Sequence, residues 1–178
     1  ERDMNEKRTK PVINLDEVTL DERPAFFQPP GSIADRFGSR SGMVGARIGA
    51  RLLGYNITAV APGKRAFPLH NHHANEEMFY ILQGSGELRI GDERYTIRAG
   101  DFIANPPGGP ETAHQILNTG AEEMRYLAVS TMITPETVEY PDSKKIATYS
   151  RQPQADGSLR VLRQINREGQ SVDYWDGE

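Results

Sequence analysis

From Gly54 onward, apolar and polar residues alternate in short stretches cut by turn residues, the rhythm of β-strands and not of helices. Residues 55–60 read as a strand stopped by Pro62-Gly63. Residues 78–82 form a continuous apolar run closed by Gln83-Gly84, the pattern of a strand buried on both sides. Residues 87–90 and 94–97 alternate on either side of Gly91-Asp92, which predicts a hairpin. Residues 101–104, 114–117 and 124–129 continue the series, separated by Pro106-Pro107-Gly108-Gly109 and Asn118-Thr119-Gly120. Strands at this spacing, with no long helical period between them, predict an antiparallel sandwich or barrel.

The flanks read differently. Residues 1–10 carry seven charged side chains and no apolar period, a solvated arm. Residues 11–36, with Pro24, Pro29, Pro30 and Gly31, predict a wrapping segment with one short strand, and Gly42, Gly45 and Gly49 argue against a stable helix after it. Beyond Thr134-Pro135 come an edge strand at 146–149, a turn at Asp156-Gly157 and a strand at 159–165. The tail ends in Tyr174-Trp175, an aromatic pair of the kind that buries against its own domain or a partner subunit. The expected organisation is an arm at 1–10 and one domain at 11–178, with its core at about 54–130 and wrapping segments at 11–53 and 131–178.

Composition narrows the classes. With 37% hydrophobic and 26% charged residues the chain reads as a soluble globular protein. A net charge of −4, with both signs interspersed, offers no broad cationic face for nucleic acid. No apolar run reaches the roughly 18 residues a membrane helix needs. The charged start lacks the apolar stretch of a secretory signal, so a cytoplasmic location is expected. There are no cysteines, so any metal must be held by nitrogen and oxygen.

Candidate chemistry gathers at His70, His72 and His73, three of only four histidines, with Glu76 and Glu77 just beyond and His114 further on. On an extended segment His70 and His72 share a face while His73 points away. Either Glu76 or Glu77 supplies a carboxylate; Glu77 shares its face with Phe79 and Ile81, and His114 faces inward with Ile116 and Asn118. Three imidazoles and a carboxylate suit one divalent transition metal: Fe, Mn, Ni, Cu or Zn. Tyr80 and Tyr95 are acid–base candidates or, more simply, core aromatics. Lys64, Arg65, Arg47 and Arg51 are candidates to hold an anionic group or are plain surface residues.

Gly63, His70, His72, Glu77 and Gly84 resemble the first motif of the cupin superfamily, and Gly100, Pro106, Gly108, His114 and Asn118 resemble the second. The first gap, Gly63 to His70, is one residue longer than usual, and the gap from Gly108 to His114 is longer as well. Counting back from Gly84, the resemblance selects Glu77 over Glu76 and implies His70, His72, Glu77 and His114 as metal ligands. It also implies an all-β fold, a single jelly-roll antiparallel barrel with an amino-terminal arm and a carboxy-terminal extension, paired as a homodimer. The flanks resemble small bacterial cupins loosely labelled sugar-phosphate isomerases. Three readings follow for the site: a metal-dependent isomerase of a sugar or sugar phosphate, a dioxygenase using Fe(II) and oxygen, or a module that binds a small molecule without turnover. No residue is assigned as the general base, and neither nucleic acid nor membrane is expected as a partner.

Overall fold

Alternation along each strand sends one set of apolar side chains inward, and that set closes the barrel. The computed structural model describes residues 10–156 and 158–178. The expected arm, apart from Lys10, and Gly157 of the expected turn lie outside the described residues. The strands are β1 (Asp21–Glu22), β2 (Ser39–Met43), β3 (Leu53–Val60), β4 (Asn71–His72), β5 (Glu77–Gln83), β6 (Ser85–Ile90) and β7 (Glu93–Arg98). Then come β8 (Phe102–Asn105), β9 (His114–Leu117), β10 (Met124–Thr131), β11 (Glu136–Tyr140), β12 (Lys145–Pro153) and β13 (Leu159–Arg167). Only short 3-10 turns interrupt them, so the described chain is all-β.

Three antiparallel sheets result: β1-β2-β3-β10-β5-β8, β13-β12-β11-β4 and β7-β6-β9. Their inward residues form one core of Val60, Ala66, Phe79, Ile81, Leu88, Ile97, Ile103, Ile116, Met124 and Tyr126. Two glycines are needed where they stand. Gly91 has φ +53 at the tip of the β6–β7 hairpin, and Gly84 has φ +83 where β5 turns into β6. A Cβ on Gly84 would stand 2.9 Å from the Met124 Cα, so any side chain there would be strained and crowded.

Several expectations change. β5 is not buried on both sides: Phe79 and Ile81 are buried, whereas Met78, Tyr80 and Leu82 are only half-buried, with Tyr80 packed on Phe102 at 4.4 Å. Tyr95 is neither core nor site, because β7 buries only Ile97. The Tyr174-Trp175 pair does not bury against its own chain; the two rings pack on each other and stay 84% and 73% exposed. β2, β4 and β11 are strands that the apolar pattern did not predict. Each is short or rich in polar residues, and each owes its strand conformation to its neighbours' ladders.

Candidate metal centre

Three of the four candidate residues lie on strands of three different sheets. His72 lies on β4, Glu77 opens β5 and His114 opens β9. His70, just before β4, is fixed by a two-way backbone bridge: its N–H donates to the His114 carbonyl at 3.3 Å and the His114 N–H donates back at 2.8 Å. The side chains converge on one oxygen, Glu77 Oε2, with the Nε2 atoms of His114, His72 and His70 at 3.0, 3.5 and 3.9 Å. The set whose ligand atoms all lie within 4.8 Å of one another is His70, Glu77 and His114. His72 meets this set through Glu77 but is not part of it.

Alternation explains which neighbours stay out. Glu76 points to solvent, and its N–H donates to Thr131 Oγ1. His73 is exposed and lies 3.5 Å from Glu139 Oε2. Lys64 donates to the carbonyls of Ala34 and Asp35, and Arg47 to that of Glu17, so neither serves this site. Arg51 is exposed, and neither it nor Arg65 lines the cavity over the cluster.

Sequence reasoning missed Glu136. This buried carboxylate on β11 accepts from the backbone N–H groups of His73, Ala74 and Asn75 at 3.0, 3.2 and 2.9 Å, and from the Asn75 side chain. It thereby clamps the three-residue link that starts after His72 and leads toward Glu77. Its Oε2 also lies 3.8 Å from His72 Nδ1, a buried nitrogen with no hydrogen-bond partner of its own. The available signal was period two: Glu136, Val138 and Tyr140 share a face, and a glutamate on the inward face of a strand needs a buried partner.

The electrostatics follow from burial and these contacts. Burial first, then the nearby His114 imidazole, push His70 down to about 4, so it is neutral and offers a nitrogen lone pair at neutral pH. Burial alone would raise Glu77, yet hydrogen bonds from His114 and His72 outweigh it and hold the carboxyl well below its usual range. Burial likewise works against the charged form of His72, but Glu77 and Glu136 prevail and hold it above its ordinary value. A neutral imidazole, an ionised carboxylate and two further imidazoles are a donor set that fits a divalent transition ion. Asn105 adds to the fit: it stands opposite Glu77 in the β5–β8 ladder, and neither end of its buried amide has a partner.

Over the cluster opens a cavity of about 460 Å³. Its lining includes Asn56 and Thr58 from β3 with Tyr126 and Ser130 from β10, all on the inward register, and Ser130 stands directly across from Glu77 in the β10–β5 ladder. Gly54 and Ala128 leave space between them, Tyr140 stacks beside His70 at 6.2 Å, and Arg151 is the one lysine or arginine among the described lining residues. The cavity leaves room for a small molecule beside the cluster.

Residues 56–130 match the family model described as the cupin domain. Residues 56–130 are a cupin domain. Cupins commonly bind a metal, and the His70–Glu77–His114 triad could hold one. A candidate sugar phosphate isomerase from Acidithiobacillus ferrooxidans is 26% identical with a TM-score of 0.67, over 86% of this chain and 92% of that one. A sugar phosphate isomerase of the cupin superfamily from Silicibacter pomeroyi is 23% identical with a TM-score of 0.74, over 93% and 98%, a likeness of fold.

Curated relatives match over shorter stretches. An uncharacterized protein of Methanocaldococcus jannaschii is 35% identical over 72 residues, 40% of this chain and 55% of that one. An oxalate-binding protein of Thermotoga maritima is 36% identical over 61 residues, 34% and 48% of the two chains. Quercetin 2,3-dioxygenase of Bacillus subtilis is 37% identical over 59 residues, 33% of this chain and 18% of that one. The chain thus spans about half the length of the first two and less than a fifth of the third. No helix among the described residues is long and apolar enough to cross a membrane.

Proposed function

We propose that the cupin is a metal-dependent enzyme acting on a small polar oxygenated substrate, a sugar or sugar phosphate, by isomerase-type chemistry. The observation that carries this reading is the convergence of His70, Glu77 and His114, with His70 and Glu77 open to a cavity that Asn56, Thr58, Tyr126 and Ser130 also line. His70, His72, Glu77 and His114 are the proposed ligands of one ion, iron, manganese, nickel, copper or zinc. When bound, such an ion supplies Lewis acidity, polarising a carbonyl and stabilising an enediolate. The chain's own part is positioning. Asn56, Thr58, Tyr126 and Ser130 are the uncharged polar side chains of the lining proposed to meet substrate hydroxyls. Phe67, Phe79, Met132 and Val138 are among the apolar residues of the lining, which would lower the local polarity around a bound substrate. The name of the A. ferrooxidans relative supports the same substrate class.

A second reading is a dioxygenase using Fe(II) and oxygen, favoured by the match to quercetin 2,3-dioxygenase. A third is a module that binds without turnover, as the name of the T. maritima relative suggests. Anaerobic exchange of the metal, followed by oxygen-uptake and sugar isomerisation assays, separates the three. Turnover with redox-inert Zn(II) and no oxygen is the expected result. Turnover only with iron and oxygen overturns it in favour of the dioxygenase, and tight binding with no turnover under any metal leaves the binding module.

The proposed organisation is one domain over 11–178 whose flanks wrap the barrel and pair two copies. Support comes from β13, an edge strand exposed along its whole length, with Leu159, Val161, Leu162 and Ile165 uncovered. An edge of that kind invites pairing with another chain.

A further inference from the structure

Outside the main cavity, Arg36, Arg65, Arg89 and Arg94 line one hollow of about 130 Å³ with only two acidic residues, Glu87 and Asp142. The arginines come from four places: Arg36 after the 3-10 turn Gly31–Asp35, Arg65 bridged to Phe37 and to Leu117 of β9, Arg89 on β6 and Arg94 on β7. Glu87 and Arg89 alternate with the inward Gly86 and Leu88, so they face away from the barrel core. None of the hollow's lining residues is shared with the cavity over the histidines.

The charges in the hollow do not balance. Arg89 donates through Nη1 to both oxygens of Asp142, at 3.1 and 2.9 Å, and through Nε to the Gly91 carbonyl at 2.9 Å. Arg94 pairs with Glu87. Arg36 and Arg65 meet no carboxylate among the described residues, and the Arg36 guanidinium lies over the Phe37 ring at 5.8 Å. Two positive charges are left over in a chain whose net charge is −4. Gathering like charges in one hollow is unfavourable unless an anion joins them.

We propose that this hollow is a second ligand site, one that takes a phosphate group. Each guanidinium presents a planar fork of donors matched to phosphate oxygens, and two unpaired forks beside one hollow suit a dianion. Size decides how much of a ligand enters. At about 130 Å³ the hollow falls well short of the roughly 300–1,000 Å³ that encloses a drug-sized molecule. It therefore accommodates the charged group and leaves any remainder in solvent. The inference is independent of the metal at the other site.

The test uses the full chain, chelator-treated, at low ionic strength, titrated with inorganic phosphate and then with methyl phosphate under 1H–15N NMR. Saturable shifts are expected together at residues 36–37, 65 and 115–117. The double variant Arg36→Ala/Arg65→Ala should weaken binding about tenfold or more, since hydrogen bonds to charged groups are at stake. Arg36→Ala alone, at an exposed position, should weaken it in part without affecting the fold, and Arg98→Ala on the neighbouring exposed strand should change nothing. Binding of both probes marks the terminal phosphate of a small molecule; binding of inorganic phosphate alone marks the free ion. Unchanged affinity in the double variant, shifts confined to the histidine cavity, or no saturable shift overturns the proposal.

Discussion

Replacing Glu136 tests how the candidate centre is held together. Its carboxylate is 6% exposed and receives three backbone N–H groups and the Asn75 amide. Hydrogen bonds to a charged group contribute roughly 1.5–3 kcal/mol each. Simple addition would overstate the loss, because the His73 N–H also donates to the Thr137 carbonyl at 3.0 Å and half-buried Ala74 can in part turn to water. Asn75 is buried; its backbone N–H would be left without an acceptor, and its side-chain amide would keep only the Ile133 carbonyl at 3.1 Å. The expected cost of Glu136→Ala is therefore about 3–5 kcal/mol, in the range for losing one side of a buried charged contact. At about 2–4 °C per kcal/mol for a chain of this size, the melting temperature should fall by on the order of 10 °C. Glu136→Gln keeps the shape and one acceptor oxygen but turns an N–H₂ toward donors, so roughly half that cost is expected. Calorimetry on the three proteins reads the stability, and a Co(II) titration reads the centre, which should bind more weakly as the link between His72 and Glu77 loosens. An alanine variant within about 0.5 kcal/mol of the parent, the usual scatter of surface changes, would refute the clamp.

Three further outcomes are expected. His114→Ala should abolish most metal retention measured by elemental analysis after gel filtration, whereas His73→Ala should change it little, because His73 is exposed and pairs with Glu139; equal metal content in the two variants contradicts the ligand assignment. Burial raises Glu123, but Arg40 and Arg125 outweigh it and lower its pKa, so its contribution is present above about 4.5 and fades as the pH falls below that value; Glu123→Gln should be less stable by at most about 1 kcal/mol at pH 7 and should converge with the parent in acid, and a pH-independent difference would count against the pair. In sedimentation at micromolar concentration the chain should behave as a dimer, and Val161→Lys/Leu162→Lys on β13 should shift it toward monomer; a parent chain that sediments as a monomer overturns the pairing.

Much of the barrel was legible because its signals are local. β9 has the expected bounds, since His114, Ile116 and Asn118 alternate cleanly between turns. Gly91-Asp92 marks its hairpin through backbone chemistry alone. Gly84 selected Glu77 over Glu76, and the structure gives that glycine a positive φ and a close approach to Met124. What stayed illegible depends on long-range contacts. β4 is two residues long, and its partner Val138 lies 66 residues beyond His72. Glu136 looks like any solvated glutamate until the strand that carries it folds over residues 73–75. Arg65 was one of four basic candidates for an anion, and only the fold sets it beside Arg36, Arg89 and Arg94 and away from the histidines.

His72, Glu77 and His114 belong to three separate hydrogen-bonded sheets, so the centre sits at the seam where those sheets meet. An occupant gripping all three would act as a rivet through the barrel wall. Its binding free energy would then count toward holding the whole fold closed, by about 4 kcal/mol at a thousandfold excess over its Kd.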